Sequence, residues 1–325
     1  MKGYALLAVV MVLAGLLVAG CANTPSTNAT STNPSGGGKI TVSGAFALYP
    51  MMVKWAEEYR KIHPEVIIEI SGGGAGKGMT DALNGLADIG MVSREIYPQE
   101  IAQGAAYVAV VKDAVIGTIN VNNPVISDLN SKGINRTLLK AIYINNTVTD
   151  WGSVAGRSVT QDKINVYTRS DACGAATIWA QYIGNYTQED LKGVGVNADP
   201  GVAEAVRNDR LGIGYNNINF AYDPTTEKPI TGLSILKLDL NDNGVIDPAE
   251  DFYGTRQDII HAIDTGAYPS PPSRELNIVT RGSFKGPTKD FVAWILTDGQ
   301  KYALETGYIP ISSEKIQAEL KQVNG

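Results

Sequence analysis

The run Arg169-Ser170-Asp171-Ala172-Cys173-Gly174-Ala175-Ala176 carries the residue types needed to hold an anion. It follows an apolar, strand-like segment (164–167) and leads into an apolar, helix-like one (177–183). The first N–H groups of a helix have no intrahelical acceptor, and the helix dipole adds partial positive charge there. A turn of small residues lets an anion approach those N–H groups. Arg169 supplies a planar cationic fork that matches an oxyanion. Two more small-residue turns sit between a strand-like and a helix-like segment, at 44–50 (Gly-Ala-Phe-Ala-Leu-Tyr-Pro) and 72–78 (Gly-Gly-Gly-Ala-Gly-Lys-Gly). If the three converge, several helix N-termini face one cleft.

Other chemistries lack raw material. Beyond Cys21, Cys173 is the only cysteine, so there is no disulfide framework and no cysteine metal site. The two histidines, His63 and His261, lie far apart in the chain, which argues against a histidine triad or a zinc centre. No nucleophile–base pair is apparent, so the chain does not read as an enzyme. The formal net charge of −6 gives no reason to expect nucleic acid or an anionic membrane surface as a partner. Any bound anion must therefore be held by local donors.

A second constellation lies at 239–250, Asp-Leu-Asn-Asp-Asn-Gly-Val-Ile-Asp-Pro-Ala-Glu. It fits the twelve-residue EF-hand loop. Asp239, Asn241 and Asn243 supply side-chain oxygens, Gly244 makes the sharp turn, and Val245 offers its carbonyl. Asp247 takes the ninth position and Glu250 supplies the bidentate carboxylate. The segment before it (233–238) alternates like a strand, so a complete helix–loop–helix is not expected. A helix could begin at Glu250. The spacing predicts one structural Ca2+ that ties down the return segment.

The elements that must position these groups alternate between strand and helix patterns, which argues for an α/β fold. Helical spacing appears at 50–62, where Met52, Trp55, Tyr59 and Ile62 share a face and Pro50 suits the first turn. A helix is also predicted to begin at 79, and others run over 137–143, 175–183, 201–208, 288–296 and 299–305. Strands are predicted at 40–43, 66–70, 87–92, 212–215 and 276–280. The long apolar segment 107–121 is long enough to cross between two lobes.

The N-terminus reads as a targeting segment: Lys2, an apolar run over 4–17, and then Val18-Ala19-Gly20-Cys21, which matches a bacterial-type lipobox. Residues 1–20 are thus expected to be a lipoprotein signal peptide, with Cys21 lipidated. Residues 22–38, rich in Asn, Thr, Ser, Pro and Gly, read as a tether from the extracytoplasmic face of the membrane to the folded part.

From about Ile40 to the C-terminus, the ordered landmarks resemble the phosphate-binding proteins of ABC transporters, a branch of the type II periplasmic binding protein superfamily. The landmarks are 44–52, Gly74-Ala75-Gly76-Lys77-Gly78, 87–94 (Ala-Asp-Ile-Gly-Met-Val-Ser-Arg), Val148-Thr149-Asp150-Trp151, 169–175, Gly212-Ile213-Gly214-Tyr215, Pro272-Ser273-Arg274-Glu275-Leu276, and Gly299-Gln300-Lys301 with Gly307-Tyr308-Ile309-Pro310. The resemblance implies a two-lobed fold of mixed sheets flanked by helices, with the ligand cleft between the lobes. Lobe I would comprise 39–115 and 265–325, and lobe II 116–264. It further implies a monomer that delivers phosphate to a membrane permease with a cytoplasmic ATPase. Arg169 would bind oxyanion oxygens. Asp171 would orient that Arg or accept the ligand's proton. Cys173, Gly174 and Ala175 would offer backbone N–H groups. Ser93 and Arg94 would face the ligand from lobe I, and Leu48, Ala75 and Gly76 would contribute mainly backbone.

The chain also departs from the family pattern. Hydroxyl residues of the family are Ala75, Cys173 and Ala175 here, the first loop reads Ala45-Phe46-Ala47, and Arg94 stands where some members carry an Asp. Hydrogen bonds to charged groups contribute about 1.5–3 kcal/mol each. The ligand is therefore open between phosphate and another oxyanion or small anion, and a surface sensor or adhesion module on the same scaffold is a further alternative.

Overall fold

The computed structural model describes residues 38–325; the expected signal peptide, Cys21 and nearly all of the tether lie outside them. Among the described residues, ten strands form one mixed sheet system: β1 Lys39–Gly44, β2 Ile67–Gly72, β3 Ile89–Val92, β4 Ala105–Asn120, β5 Asn165–Arg169, β6 Val194–Val196, β7 Gly212–Asn217, β8 Leu233–Ile235, β9 Ser273–Arg281 and β10 Ile309–Pro310. The helices are α1 Tyr49–Ile62, α2 Gly74–Leu83, α3 Pro98–Ala102, α4 Ile126–Lys132, α5 Arg136–Tyr143, α6 Trp151–Val154, α7 Gly174–Gly184, α8 Ala198–Asn208, α9 Arg256–Asp264, α10 Gly286–Leu296 and α11 Ser313–Asn324.

The strand order is β2-β1-β3-β9-β4-β7-β5-β6, with β8 and β10 also pairing with β4. β1 runs parallel to β2 and β3, and β9 is antiparallel to β3 and β4. The sixteen-residue β4 joins the two halves. Its first part pairs with β9 (Ala105↔Arg281 to Ala114↔Ser273), and its second with β7 (Val115↔Asn217 to Ile119↔Ile213). The apolar run expected to cross between lobes is thus a single strand shared by both. The near-continuous burial of 108–120 follows from cover on both faces.

Apolar burial is divided the same way. One core draws on residues 40–111 and 276–323, and the other on 114–268 together with Ile309. A small third cluster gathers Val202, Ala203, Val206 and Leu233. Tyr268, expected in lobe I, packs in the second core, and its hydroxyl donates to the Val115 carbonyl at 2.7 Å. The chain re-enters the first sheet only at Ser273, where β9 begins, so the lobe boundary falls later than the sequence reading placed it.

Local chemistry explains most element ends. Pro50 occupies the first turn of α1. Asn135, Asp150, Thr255 and Ser312 accept N–H groups at the starts of α5, α6, α9 and α11. Three expectations differ. α2 begins at Gly74, so the glycine-rich stretch is the first turn of the helix itself. The helix expected over 299–305 is two 3-10 turns, Asp298–Tyr302 and Leu304–Thr306. No helix begins at Glu250; α9 starts at Arg256 behind its Thr255 cap. Among the described residues, no helix is long and apolar enough to cross a membrane.

Trp179 of α7 anchors the second core. It is fully buried, stacks on Tyr215 of β7 with 5.8 Å between centroids, and meets Tyr143 of α5 edge-on at 6.0 Å. Because α7 carries the Cys173–Ala175 turn, this packing fixes the turn's direction. Trp179→Ala is expected to lower unfolding free energy by about 3–5 kcal/mol, measured by urea denaturation. A change below about 1 kcal/mol would show that the aromatic cluster does not hold α7.

Candidate functional site

Arg169 ends β5 with its side chain 1% exposed. Burying a guanidinium is costly unless its charge and donors are met. Two carboxylates meet them here. Asp171 accepts Nε at 2.7 Å and Nη2 at 2.5 Å in a bidentate fork, and Asp199, at the start of α8, accepts Nη1 at 2.5 Å. Burial alone would lower the Arg169 pKa, but Asp199, Cys173 and Asp171 more than reverse this, so it stays charged. Burial pushes Asp171 up, and Arg169 pulls it below the ordinary carboxylate range. The carboxylates are fixed in turn: Asp171 Oδ1 accepts the Ala198 N–H at 3.0 Å, and Asp199 Oδ1 accepts the Asn217 N–H at 3.0 Å. A guanidinium has five N–H groups, and three are committed, which leaves two donors in a fixed plane.

The three small-residue turns do converge. A Cβ on Gly74 would lie 2.7 Å from the Ala172 carbonyl and 2.8 Å from Asp171 Oδ2, and Gly74 sits at φ +85. A Cβ on Gly174 would lie 2.1 Å from the Ser93 carbonyl. Glycine is required at both places because backbones from the two halves touch there. The Gly76 N–H donates to the Ala172 carbonyl at 3.1 Å, closing the contact. From the first turn, the Phe46 ring lies 5.7 Å from the Arg169 guanidinium carbon. The starts of α2 and α7 thus meet beside Arg169, with the Phe46 turn that precedes α1 against its guanidinium, and the first-turn N–H groups of Gly74, Ala75, Gly174 and Ala175 have no intrahelical acceptor.

Not every residue expected here is free for a ligand. The Cys173 N–H donates to Gln188 Oε1 at 3.0 Å, while Gln188 Nε2 donates to the Asp171 carbonyl at 2.7 Å, so Gln188 staples the loop. The Cys173 thiol caps α7 by accepting the Ala176 N–H at 3.3 Å, and burial pushes its pKa up to about 12. Leu48 directs its N–H to the Ala45 carbonyl, and Gly76 spends its own on the contact between halves. Arg94, expected to face the ligand, turns away: Glu100 takes its guanidinium at 2.7 and 2.9 Å, and Tyr97 stacks on it at 4.1 Å. An acid only six residues on, in the first turn of α3, holds the side chain away from Arg169. Lys77, a possible replacement donor, pairs with Asp81 and Ser43 instead. Ser93 is buried beside Gly174. Asp171 takes the Arg-orienting place of the two roles open to it.

Sequence reasoning missed Asp199, Gln188, Asn217 and the buried pair Asp113 and Arg274. Arg274 Nε donates to the Ser93 carbonyl at 2.9 Å, and its Nη2 donates to Asn217 Oδ1. Tyr308 donates to the Ala47 carbonyl at 2.7 Å, bracing the first turn from behind. A cavity of about 780 Å³ opens beside the contact, lined by Gly76, Arg94, Tyr97, Ala172, Cys173 and Gln188 among others. Arg169 does not line it, so a ligand reaching Arg169 from there must part the Gly76–Ala172 contact.

The loop at 239–250 closes on its own hydrogen bonds. Glu250 Oε1 accepts the N–H groups of Leu240 and Asn241, and its Oε2 accepts that of Asp247. Asp239 accepts from Asn243 and Gly244, and Asp247 accepts the amides of Asn241 and Asn243. Among the described residues, no three His, Cys, Asp or Glu side chains gather as a metal-holding group.

The chain is similar to known proteins over most of its length. The phosphate-binding protein PstS of Methanocaldococcus jannaschii is 25% identical over an alignment covering 98% of this chain and 94% of its own. That of Bacillus subtilis is 24% identical, with 93% and 92% covered. A phosphate-bound structure from Clostridium perfringens, assigned to the substrate-binding proteins of phosphate ABC transporters, superposes with a TM-score of 0.67 at 23% identity, covering 84% of this chain and all of that one. An ABC-type phosphate transport receptor from Vibrio cholerae superposes at 0.59, with 23% identity and the same coverage. The fold is that of the type II binding proteins. The family model of the PBP superfamily domain matches residues 29–298, and the chain belongs to that family.

Proposed function

We propose that this chain is the extracytoplasmic solute-binding lipoprotein of an ABC transporter, clamping phosphate between its lobes and delivering it to a permease. One observation carries the reading: a buried guanidinium, oriented by two carboxylates, keeps two N–H donors beside the starts of two helices, α2 and α7. Full-length relatives named as phosphate-binding proteins support it. The ligand is held by fixed dipoles more than by net charge, because Asp171 and Asp199 outweigh Arg169. Closure follows from contacts that a ligand makes to both lobes. The protein acts as a monomer held to the membrane through Cys21. Its buried, high-pKa Cys173 supports a binding role over an enzymatic one.

A second reading, another oxyanion or small anion, draws on Ala75, Cys173 and Ala175, which lack hydroxyls, and on the Cys173 N–H already given to Gln188. Calorimetry against phosphate, sulfate, arsenate and molybdate separates the two. Phosphate is expected to bind one-to-one, and Arg169→Lys, which keeps a charge but loses the fork, is expected to weaken binding at least about hundredfold while the protein stays folded. No heat with any of the four would end the oxyanion reading.

We also propose that the 239–250 loop takes a structural Ca2+. Asp239 and Glu250 are each only 5% exposed and pair with no Lys or Arg, and the donors are all hard oxygens. EDTA is expected to lower the melting temperature and Ca2+ to restore it; superimposable melting curves would remove the site. For Cys173, mass-spectrometric mapping after iodoacetamide treatment at pH 8 is expected to find it unmodified in the native protein and modified in urea. Rapid native labelling would reopen a nucleophilic role.

A further inference from the structure

Behind Arg169 lies a second buried charge pair that the proposed anion site does not by itself explain. Asp113 of β4 and Arg274 of β9 are ladder partners, with side chains 1% and 5% exposed. Their closest approach is 3.8 Å, longer than a hydrogen bond. Neither Asp113 carboxylate oxygen, nor Arg274 Nη1, has a hydrogen-bonding protein partner. Buried polar atoms left in this state are rare and call for a reason.

The pair is wired to both halves of the cleft. Arg274 holds the Ser93 carbonyl, on the lobe I side, through Nε. Through Nη2 it holds Asn217, whose N–H fixes Asp199, which in turn fixes Arg169. The groups facing Asp113 are few. Arg274 comes from β9, Asp199 from α8 and the Tyr308 ring from just before β10, while the backbone N–H groups of Ala114 and Ile218 lie outside good hydrogen-bond geometry yet still favour the charged carboxylate. The buried cluster therefore sets two cations, Arg169 and Arg274, against three carboxylates, Asp113, Asp171 and Asp199. Asp171 and Asp199 are committed to Arg169 by short hydrogen bonds. Asp113 is the member with no such bond, so it is the one free to lose its charge.

Resting on the oxyanion reading above, we propose that Asp113 is a positioning residue that takes up a proton when the anion binds. Neutral Asp113 leaves Arg274 as an uncompensated cation behind Ser93 and Asn217, which balances the incoming negative charge. Ionised Asp113 withdraws that balance. The sign is fixed by linkage: an anion binds better to the protonated form, so binding raises the Asp113 pKa and affinity falls as Asp113 ionises. Burial, against the pull of Arg274, already holds the group at about 7, so the exchange falls in the physiological range. A unit charge at about 10 Å, in the effective dielectric of protein sites, changes an anion's affinity by about tenfold.

The test is phosphate calorimetry on the whole folded chain and on Asp113→Asn, at pH 6, 7 and 8, in buffers of different ionisation enthalpy. Phosphate changes its own protonation identically for both proteins, so the difference between them isolates Asp113. The wild type is expected to lose about tenfold more affinity than D113N from pH 6 to 8 and to take up a fraction of a proton near pH 7 that D113N does not. Parallel pH profiles with equal proton uptake would overturn the proposal. Absence of phosphate binding by the wild type at every pH would instead overturn the oxyanion reading, and this proposal with it. Should D113N fail to fold, carboxyl-13C-aspartate NMR of the wild type serves. One resonance titrating near neutrality that moves up in pH on adding phosphate supports the proposal, and no such resonance overturns it.

Discussion

A guanidinium buried between two carboxylates is the constraint on which this site depends. Arg169 cannot sit at the end of β5 with its side chain out of water unless Asp171 and Asp199 both answer it, and each must itself be held. The local departures follow from that need. Ala198 takes φ +63 and donates its N–H to Asp171, and Gln188 reaches across to staple 171–173. Tyr215 meets the Arg169 N–H from β7. The outcome is a fork held in place by its own neighbours with no ligand present.

The same frame ties the two lobes together. β4 runs through both sheets, and its partners β7 and β9 carry Asn217 and Arg274 side by side. Loops from one lobe are braced from behind by the partners of β4, Ser93 by Arg274 of β9 and Ala47 by Tyr308 just before β10. Arg169 in the other lobe is braced through Asp199 and Asn217. The Gly76–Ala172 hydrogen bond and the close approaches of Gly74 to Ala172 and of Gly174 to Ser93 join the two halves beside Arg169.

Much of this was legible in the residues. The three strand–turn–helix units and the long crossover follow from local pattern and spacing, and the Arg169–Asp171 pair from the family resemblance. What escaped is long-range. Asp199 falls two residues before the helix predicted over 201–208, and nothing near it names Arg169, thirty positions away. Gln188 and Asn217 carry no pattern at all. Asp113 did leave a trace, as an acid interrupting an apolar strand, but only the β9 register shows Arg274 opposite it. Arg94 misled because its place in the chain matches a ligand position, while Glu100, six residues on, claims the side chain. The run 72–78 reads in sequence as a glycine-rich turn, yet its glycines are selected by close approach, Gly74 and Gly76 to Ala172 and Gly78 to Met91 and Gly44.

The most direct measurement of the central claim is a crystal structure of the folded chain grown with phosphate. The account predicts one anion between the lobes, within hydrogen-bonding distance of the two uncommitted Arg169 N–H groups and the first-turn N–H groups of α2 and α7, with Asp171 and Asp199 still bound to Arg169. A phosphate seated elsewhere, or an Arg169 that leaves its carboxylates to reach the ligand, would contradict it.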